Sequence, residues 1–483
     1  MPEQRGARRG VEYESVDSEY MEHRQLKQGA AGWVLLAGLG VAYVISGDFA
    51  GWNFGLAEGG WGGLLIATIL MGTMYTCMVF ALAELSSTIS TAGGGYGFGR
   101  RALGAWGGFL TGTAILIEYA IAPAAIVVFI GGYVEALDIG ISAGWPVYLV
   151  FYAVFVGIHL IGVGEALKLM FAITAIAVVA LIVFVVAMIP EFDAANLTDI
   201  APTDAAGSSD FLPFGLAGIW AAFPFAIWFF LAVEGVPLAA EETRNPKRDM
   251  PRGLIAAMMI LLVFAALMML AGPGGGGSQT IMESDNPLPA AIDAAKGEGS
   301  GVGDFVNYVG LAGLIASFFS IIFAYSRQLF SLSRAGYLPR GLSVTGGRKV
   351  PIVALIVPAV VGFLLAAITE DGATMINIAV FGATVSYVLM MLSHIVLRSR
   401  EPDLERPYRT PGGVITSGVA LVLAVLAVVA TFLVDEQAAL ITLGVYATAA
   451  LYFFVYSRHH LVGSAPEEEF AAIESAEREL AGR

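Results

Sequence analysis

The chain has 483 residues, of which 57% are hydrophobic and only 13% charged, and its formal net charge is −15. A soluble chain of this size would be about one quarter charged, so the composition excludes an ordinary soluble domain and points to an integral membrane protein. The single cysteine, Cys77, excludes an intrachain disulfide. The five histidines have no metal-ligand spacing, and basic patches suited to nucleic acid are absent.

Residues 1–30 are polar and lack the apolar core and cleavage site of a signal peptide, which predicts a cytosolic N-terminal tail. Apolar stretches of spanning length follow at 31–57, 61–86, 103–134, 143–162, 166–189, 213–239, 253–272, 304–333, 351–368, 373–397, 412–433 and 437–457. They predict an all-α integral membrane protein with 12 transmembrane helices. Basic residues fall in alternate connections. Arg100 and Arg101 follow the second span, Lys168 opens the fifth, and Arg244, Lys247, Arg248 and Arg252 follow the sixth. Arg334, Arg340, Arg348 and Lys349 follow the eighth, and Arg398, Arg400, Arg406 and Arg409 the tenth. The opposite connections hold one basic residue, Lys296, and many acids, so both termini are expected in the cytosol of a plasma (inner) membrane protein.

Two spans are interrupted. The first reads Tyr43-Val44-Ile45-Ser46-Gly47-Asp48-Phe49-Ala50-Gly51. A carboxylate at such depth costs roughly 2.5 to 3.5 kcal/mol, so it faces a pathway or a partner. Glycine lets the helix unwind, and unwound backbone in a membrane is tolerated only where it lines a cavity. The sixth span repeats the pattern as Phe229-Phe230-Leu231-Ala232-Val233-Glu234-Gly235, followed by Pro237. These spans hold matching positions in two five-helix halves, 31–189 and 213–397. An odd number of helices per half gives the halves opposite topology, and matched interruptions point to a transporter's binding site. A substrate is expected between Asp48 and Glu234. The remaining spans, 412–457, form a peripheral pair before a C-terminal tail, 458–483. The run Gly93 to Gly99 lacks the phosphate-loop pattern and is expected to be a flexible gating loop, and Gly274 to Gly277 a plain connector outside the membrane.

From about residue 30 to 410 the chain resembles the amino acid–polyamine–organocation permeases. The motifs are Ala83-Glu84-Leu85 through Gly93-Gly94-Gly95-Tyr96 with Ser90 where proline is usual, Glu242-Thr243-Arg244-Asn245-Pro246-Lys247-Arg248-Asp249-Met250-Pro251, and Ser333-Arg334-Ala335-Gly336-Tyr337-Leu338-Pro339. Within that superfamily, Ile45 to Leu56, Glu118-Tyr119-Ala120-Ile121-Ala122-Pro123 and Leu392-Ser393-His394-Ile395-Val396-Leu397-Arg398 resemble the ethanolamine permeases. The resemblance implies a 5+5 inverted-repeat, LeuT-like fold with discontinuous helices 1 and 6.

In that fold, backbone N–H groups at the first break bind an amino acid's carboxylate, and a carboxylate side chain there would oppose it. Asp48 instead suits the ammonium of a small amine such as ethanolamine, or it caps the outer half-helix. The implied substrate-binding set is Ser46, Gly47, Asp48, Glu118, Trp228, Phe229, Phe230 and Glu234. Glu118 is alternatively a structural pair, Glu234 a gate or an interhelical hydrogen-bonding acid, and Trp228 a lid by cation–π contact or packing. Glu84 is expected to be structural. Ser317 and Ser320 either contribute to a sodium site or bond their own preceding carbonyls. No cofactor is implied, and the co-ion, proton or sodium, stays open. The expected function is import of ethanolamine or a similarly small amine. A permease for neutral amino acids or polyamines, or a permease-like receptor, is the alternative; an enzyme is not expected.

Overall fold

Buried in hydrocarbon, a backbone must satisfy its own N–H and C=O groups, and helices do so within each span. The structure, a computed structural model, describes residues 13–14, 31–89, 93–161, 163–240, 242–297, 299–346 and 350–462, without the side chains of 13–14 and 163–169. The remainder of the two expected tails, Ser90, Arg348, Lys349 and the side chain of Lys168 lie outside the described residues. The helices are α1 (Trp33–Val44), α2 (Ser46–Phe49), α3 (Phe54–Thr88), α4 (Gly94–Glu135), α5 (Trp145–Ile161), α6 (Val163–Met188), α7 (Gly215–Ala221) and α8 (Phe223–Trp228). After a 3-10 helix, Val233–Ala239, come α9 (Pro246–Gly276), α10 (Ser278–Ile281), α11 (Pro287–Lys296), α12 (Gly301–Arg334), α13 (Ile352–Thr369), α14 (Gly372–Arg400), α15 (Val414–Val434) and α16 (Glu436–Val455). Two short strands, β1 (Tyr13–Glu14) and β2 (Leu461–Val462), pair in parallel.

Among the described residues, 10 helical segments are long and apolar enough to cross a membrane, and α1 and α5 are shorter apolar helices. Ten of the twelve expected stretches overlap the long segments, while the first and fourth are met by the shorter α1 and α5. Two boundaries are set by glycines with positive φ. Gly60 (φ 65°) breaks α3, so residues 54–59 form the second arm of the first interrupted span. Gly104 (φ 82°) breaks α4 at the start of the third.

Two expectations need correction. The run expected to be a flexible gating loop is helical from Gly94 and buried, with Gly95 pressed between Ile115 and Met390. Gly274 to Gly276 belong to the last turn of α9 and sit against Phe192, Met188 and Ala291, where side chains would not fit. In both places the missing Cβ permits close packing, not looseness.

The core gathers around α4, which packs along α12 and α14, while α9 packs on α1 and α3. Helices α13, α15 and α16 lie outside. Their apolar residues are exposed, Ile368 at 81% and Ile415 at 78%, as befits a surface solvated by lipid rather than by water.

Candidate functional site

The two expected interruptions are real and touch each other. In the first, α1 ends at Val44, α2 adds one turn, and the chain extends at Ala50 before Gly51 (φ 94°). In the second, α8 stops at Trp228 and the backbone passes through Ala232, an alanine with left-handed φ of 77°. Such a conformation costs a non-glycine residue about 1 to 3 kcal/mol and persists only where the surroundings impose it. Gly47 makes the contact between the breaks: a Cβ there would lie 2.5 Å from the Trp228 carbonyl oxygen. The Trp228 indole N–H donates to the Ala50 carbonyl at 3.0 Å. Phe229 stacks on Trp52 at 5.5 Å, and Phe230 packs on Tyr75 at 5.4 Å.

Three carboxyl groups are buried here: Asp48 and Glu118 are 0% exposed and Glu234 3%. Glu118, on α4, and Glu234, on the 3-10 helix, are neighbours in this buried cluster, with no hydrogen bond between them. The Tyr119 hydroxyl donates to Glu234 Oε1 at 3.1 Å and the Tyr387 hydroxyl to Oε2 at 3.4 Å. Tyr75 donates in turn to Tyr387 at 2.8 Å. Neither oxygen of Glu118 has a hydrogen bond of good geometry, although Tyr387 and the Ala232 backbone lie beside it. The hydroxyl of Tyr43, whose ring packs against Gly235, also has no partner among the described residues. Asp48 stands apart. Among the described residues neither of its oxygens is hydrogen-bonded, so no cap bond forms, and no charged group faces it. Thus Glu118 and Glu234 are brought together, and Asp48 is not joined to them.

Ser46 lies beside α12. Its hydroxyl is 2.8 Å from that of Ser317, which donates to the Tyr43 carbonyl at 2.8 Å. Ser320 bonds back to the Ser317 carbonyl at 2.9 Å. Sequence reasoning missed Tyr43, Tyr75, Tyr119 and Tyr387, because a tyrosine in an apolar span reads as packing until its hydroxyl has a visible partner.

Residues 34–465 match the family described as amino acid permease. The chain belongs to that family. An uncharacterised transporter of Rhizobium meliloti (strain 1021) is 29% identical over 408 residues, 82% of this chain and 85% of that protein. A branched-chain amino acid permease of Bacillus subtilis (strain 168) is 24% identical over 412 residues, 82% of this chain and 86% of that protein. The D-serine/D-alanine/glycine transporter of Escherichia coli (strain K12) is 25% identical over 409 residues, 78% and 83%. The chain is therefore a multi-pass membrane transporter, a secondary permease, and not an enzyme.

Two polar clusters brace the permease away from the breaks. Glu84, at the end of α3, accepts from Arg398 Nε at 2.9 Å and Nη2 at 2.5 Å, and from the Thr410 N–H at 2.7 Å. Arg406 Nε lies 3.0 Å and His394 Nε2 3.4 Å from the same carboxylate. This agrees with a structural role, since it straps the α14–α15 connection across α3. Glu242, from the motif after the sixth span, pairs with buried Arg327 of α12 at 2.8 Å. On the other face, Asp285 is an exposed residue opposite Gly132, and partial desolvation of its carboxyl together with the charges of Asp371 and Glu135 pushes it up to about 6.

Proposed function

We infer that the permease imports a small amine, with ethanolamine as the candidate substrate, by alternating access around the two broken spans. The observation that carries this reading is the set of buried carboxyls at the breaks without a basic partner among the described residues. A buried uncompensated carboxylate is costly, and a substrate ammonium is a natural counter-charge. An amino acid would bring its own carboxylate to a first break that already holds Asp48.

In this reading Ser46, Gly47 and Asp48 line one side of the substrate path, Glu118 and Glu234 the other, and Trp228, Phe229 and Phe230 close over it. The twelve segments would form inverted five-helix halves, 31–189 and 213–397, with 412–457 at the periphery and both termini cytosolic in the plasma (inner) membrane. The asymmetry of basic residues supports that orientation. A second reading, a permease for neutral amino acids, is favoured by the names of the Bacillus and Escherichia relatives.

Labelled ethanolamine uptake into proteoliposomes, competed with glycine, D-serine, branched-chain amino acids and polyamines, separates the readings. Saturable uptake blocked by amines supports the first. Uptake blocked only by amino acids transfers the assignment to the second, and the absence of uptake with any of them would favour a receptor.

A further inference from the structure

A groove lies on the flank of the bundle, where the protein meets the membrane. It runs between α3 and α9 from Trp61 to Cys77, encloses about 490 Å³, and is about 24 Å long at 1.5 Å per residue. Its rim carries side chains exposed to the bilayer, Ile69 on α3 and Leu270 on α9. Its floor is Phe230. The wall beside Phe230 has no side chain, because the residue there is Gly72: a Cβ would lie 3.1 Å from Leu262 and 3.5 Å from the Phe230 ring. The groove therefore reaches inward to the second broken span.

The lining decides what can enter. None of its side chains is charged. The Trp61 indole N–H donates to the Met269 carbonyl at 2.7 Å, and the Thr73 and Thr76 hydroxyls donate to the Ile69 and Gly72 carbonyls at 2.8 and 2.7 Å. Of the lining groups, the buried Thr68 hydroxyl alone lacks a partner among the described residues. A polar head group taken between these walls would lose its water and find a single hydrogen bond, which excludes it. Spread over its length, the groove has a cross-section of roughly 20 to 40 Å², against about 80 Å² for a helix 10 Å across. A hydrocarbon chain fits both limits. Surrounding lipid tails are equally apolar, so the chain is selected by close packing against a fixed surface and not by a hydrophobic force. One leaflet of a 30 Å hydrocarbon core is about 15 Å deep, so the groove is long enough for that whole depth of chain. A phospholipid supplies such a chain and leaves its head at the interface.

We propose that the groove between α3 and α9 is a binding site for one acyl chain of a membrane phospholipid, and that this chain, resting on Phe230, braces the second break. Phe230 lies two residues before the left-handed Ala232, in the stretch that joins α8 to the 3-10 helix. Its ring packs on Tyr75 at 5.4 Å, Tyr75 donates to Tyr387 at 2.8 Å, and Tyr387 reaches Glu234 at 3.4 Å. A chain in the groove thus touches the break from the lipid side while the buried carboxyls lie on its inner side. A ligand that fits one arrangement of the break better than another shifts the protein toward that arrangement. The proposal holds whichever substrate the permease moves.

The test uses the full-length protein. Native mass spectrometry of the detergent-purified permease should find one phospholipid retained per chain. In phosphatidylcholine vesicles, a phosphatidylcholine with a photoreactive diazirine in one acyl chain should be captured on the α3 and α9 segments that line the groove. Ala266→Trp fills the groove from an exposed position on its rim, so it should cut retention and groove capture at least about fivefold. Val360→Trp, on the exposed face of α13, should change neither. Phosphatidylcholine added to lipid-stripped protein should raise its melting temperature, as a ligand of the folded state does, and this rise should be lost in Ala266→Trp. Phe230→Ala, which removes the floor, should also lose groove capture. A spread of retained lipids with no singly bound species, or groove capture that survives Ala266→Trp, would overturn the proposal. Retention of a free fatty acid in place of phospholipid would overturn the assigned source. Full capture in well-folded Phe230→Ala, or a melting temperature that ignores the lipid, would overturn the bracing of the break.

Discussion

Asp48→Asn separates the two roles open to this residue with one substitution, because it keeps the shape and removes the charge. Asp48 is fully buried and neither oxygen has a partner, so the substitution breaks no hydrogen bond within the protein. The thermal stability of the substrate-free permease should therefore not fall. Affinity should. Removing one member of a buried, hydrogen-bonded charge pair costs on the order of 2 to 5 kcal/mol. At 1.4 kcal/mol per tenfold, the lower bound is about thirtyfold in Kd. The assay is equilibrium binding of labelled ethanolamine to purified protein, with a melting curve recorded on the same sample. A capping residue behaves otherwise: asparagine caps about as well as aspartate, and the affinity would be unchanged. An unaltered Kd in well-folded Asp48→Asn refutes the counter-charge argument, and a marked loss of stability refutes the claim that Asp48 has no internal partner.

Gly47→Ala would place a methyl group 2.5 Å from the Trp228 carbonyl oxygen, which backbone cannot yield cheaply, so uptake should fall at least about tenfold, an effect of roughly 1.4 kcal/mol; normal uptake would show that the breaks need not touch. Glu84→Ala should destabilise by about 3 kcal/mol, because it strips the counter-charge from Arg406 and from partly exposed Arg398, and Glu84→Gln should recover part of the loss in a thermal-stability assay. Asp285, whose carboxyl stands at about 6 against 3.8 in the unfolded chain, binds its proton more tightly when folded. Because Asp285 is exposed and solvent screens it, its contribution is small; it is full below about pH 4 and lost as the pH rises through 6. Asp285→Asn should flatten that part of a stability profile, and an unchanged profile would remove Asp285 as its cause.

The spans were legible because apolar runs of about twenty residues have one low-energy solution in hydrocarbon. Gly60 and Gly104 also divide the helices near the expected boundaries. The two glycine runs were misread for a physical reason. Glycine serves both loose backbone and the closest helix packing, and only a neighbour such as Met390 or Phe192 tells which. At the site, Asp48, Glu118 and Glu234 announced themselves as carboxyls inside greasy stretches. Their grouping did not. The expectation set Asp48 and Glu234 on either side of a substrate but did not foresee that Glu234 accepts hydrogen bonds from Tyr119 of α4 and Tyr387 of α14. Such pairings depend on how helices distant in sequence cross, and no local pattern encodes that.

The central claim is that the buried carboxyls of this permease serve a substrate ammonium. Uptake of labelled ethanolamine into proteoliposomes, competed in turn by unlabelled ethanolamine and by glycine, measures it most directly. The account predicts saturable uptake that ethanolamine abolishes and glycine leaves largely intact; uptake of glycine with no uptake of ethanolamine would contradict it.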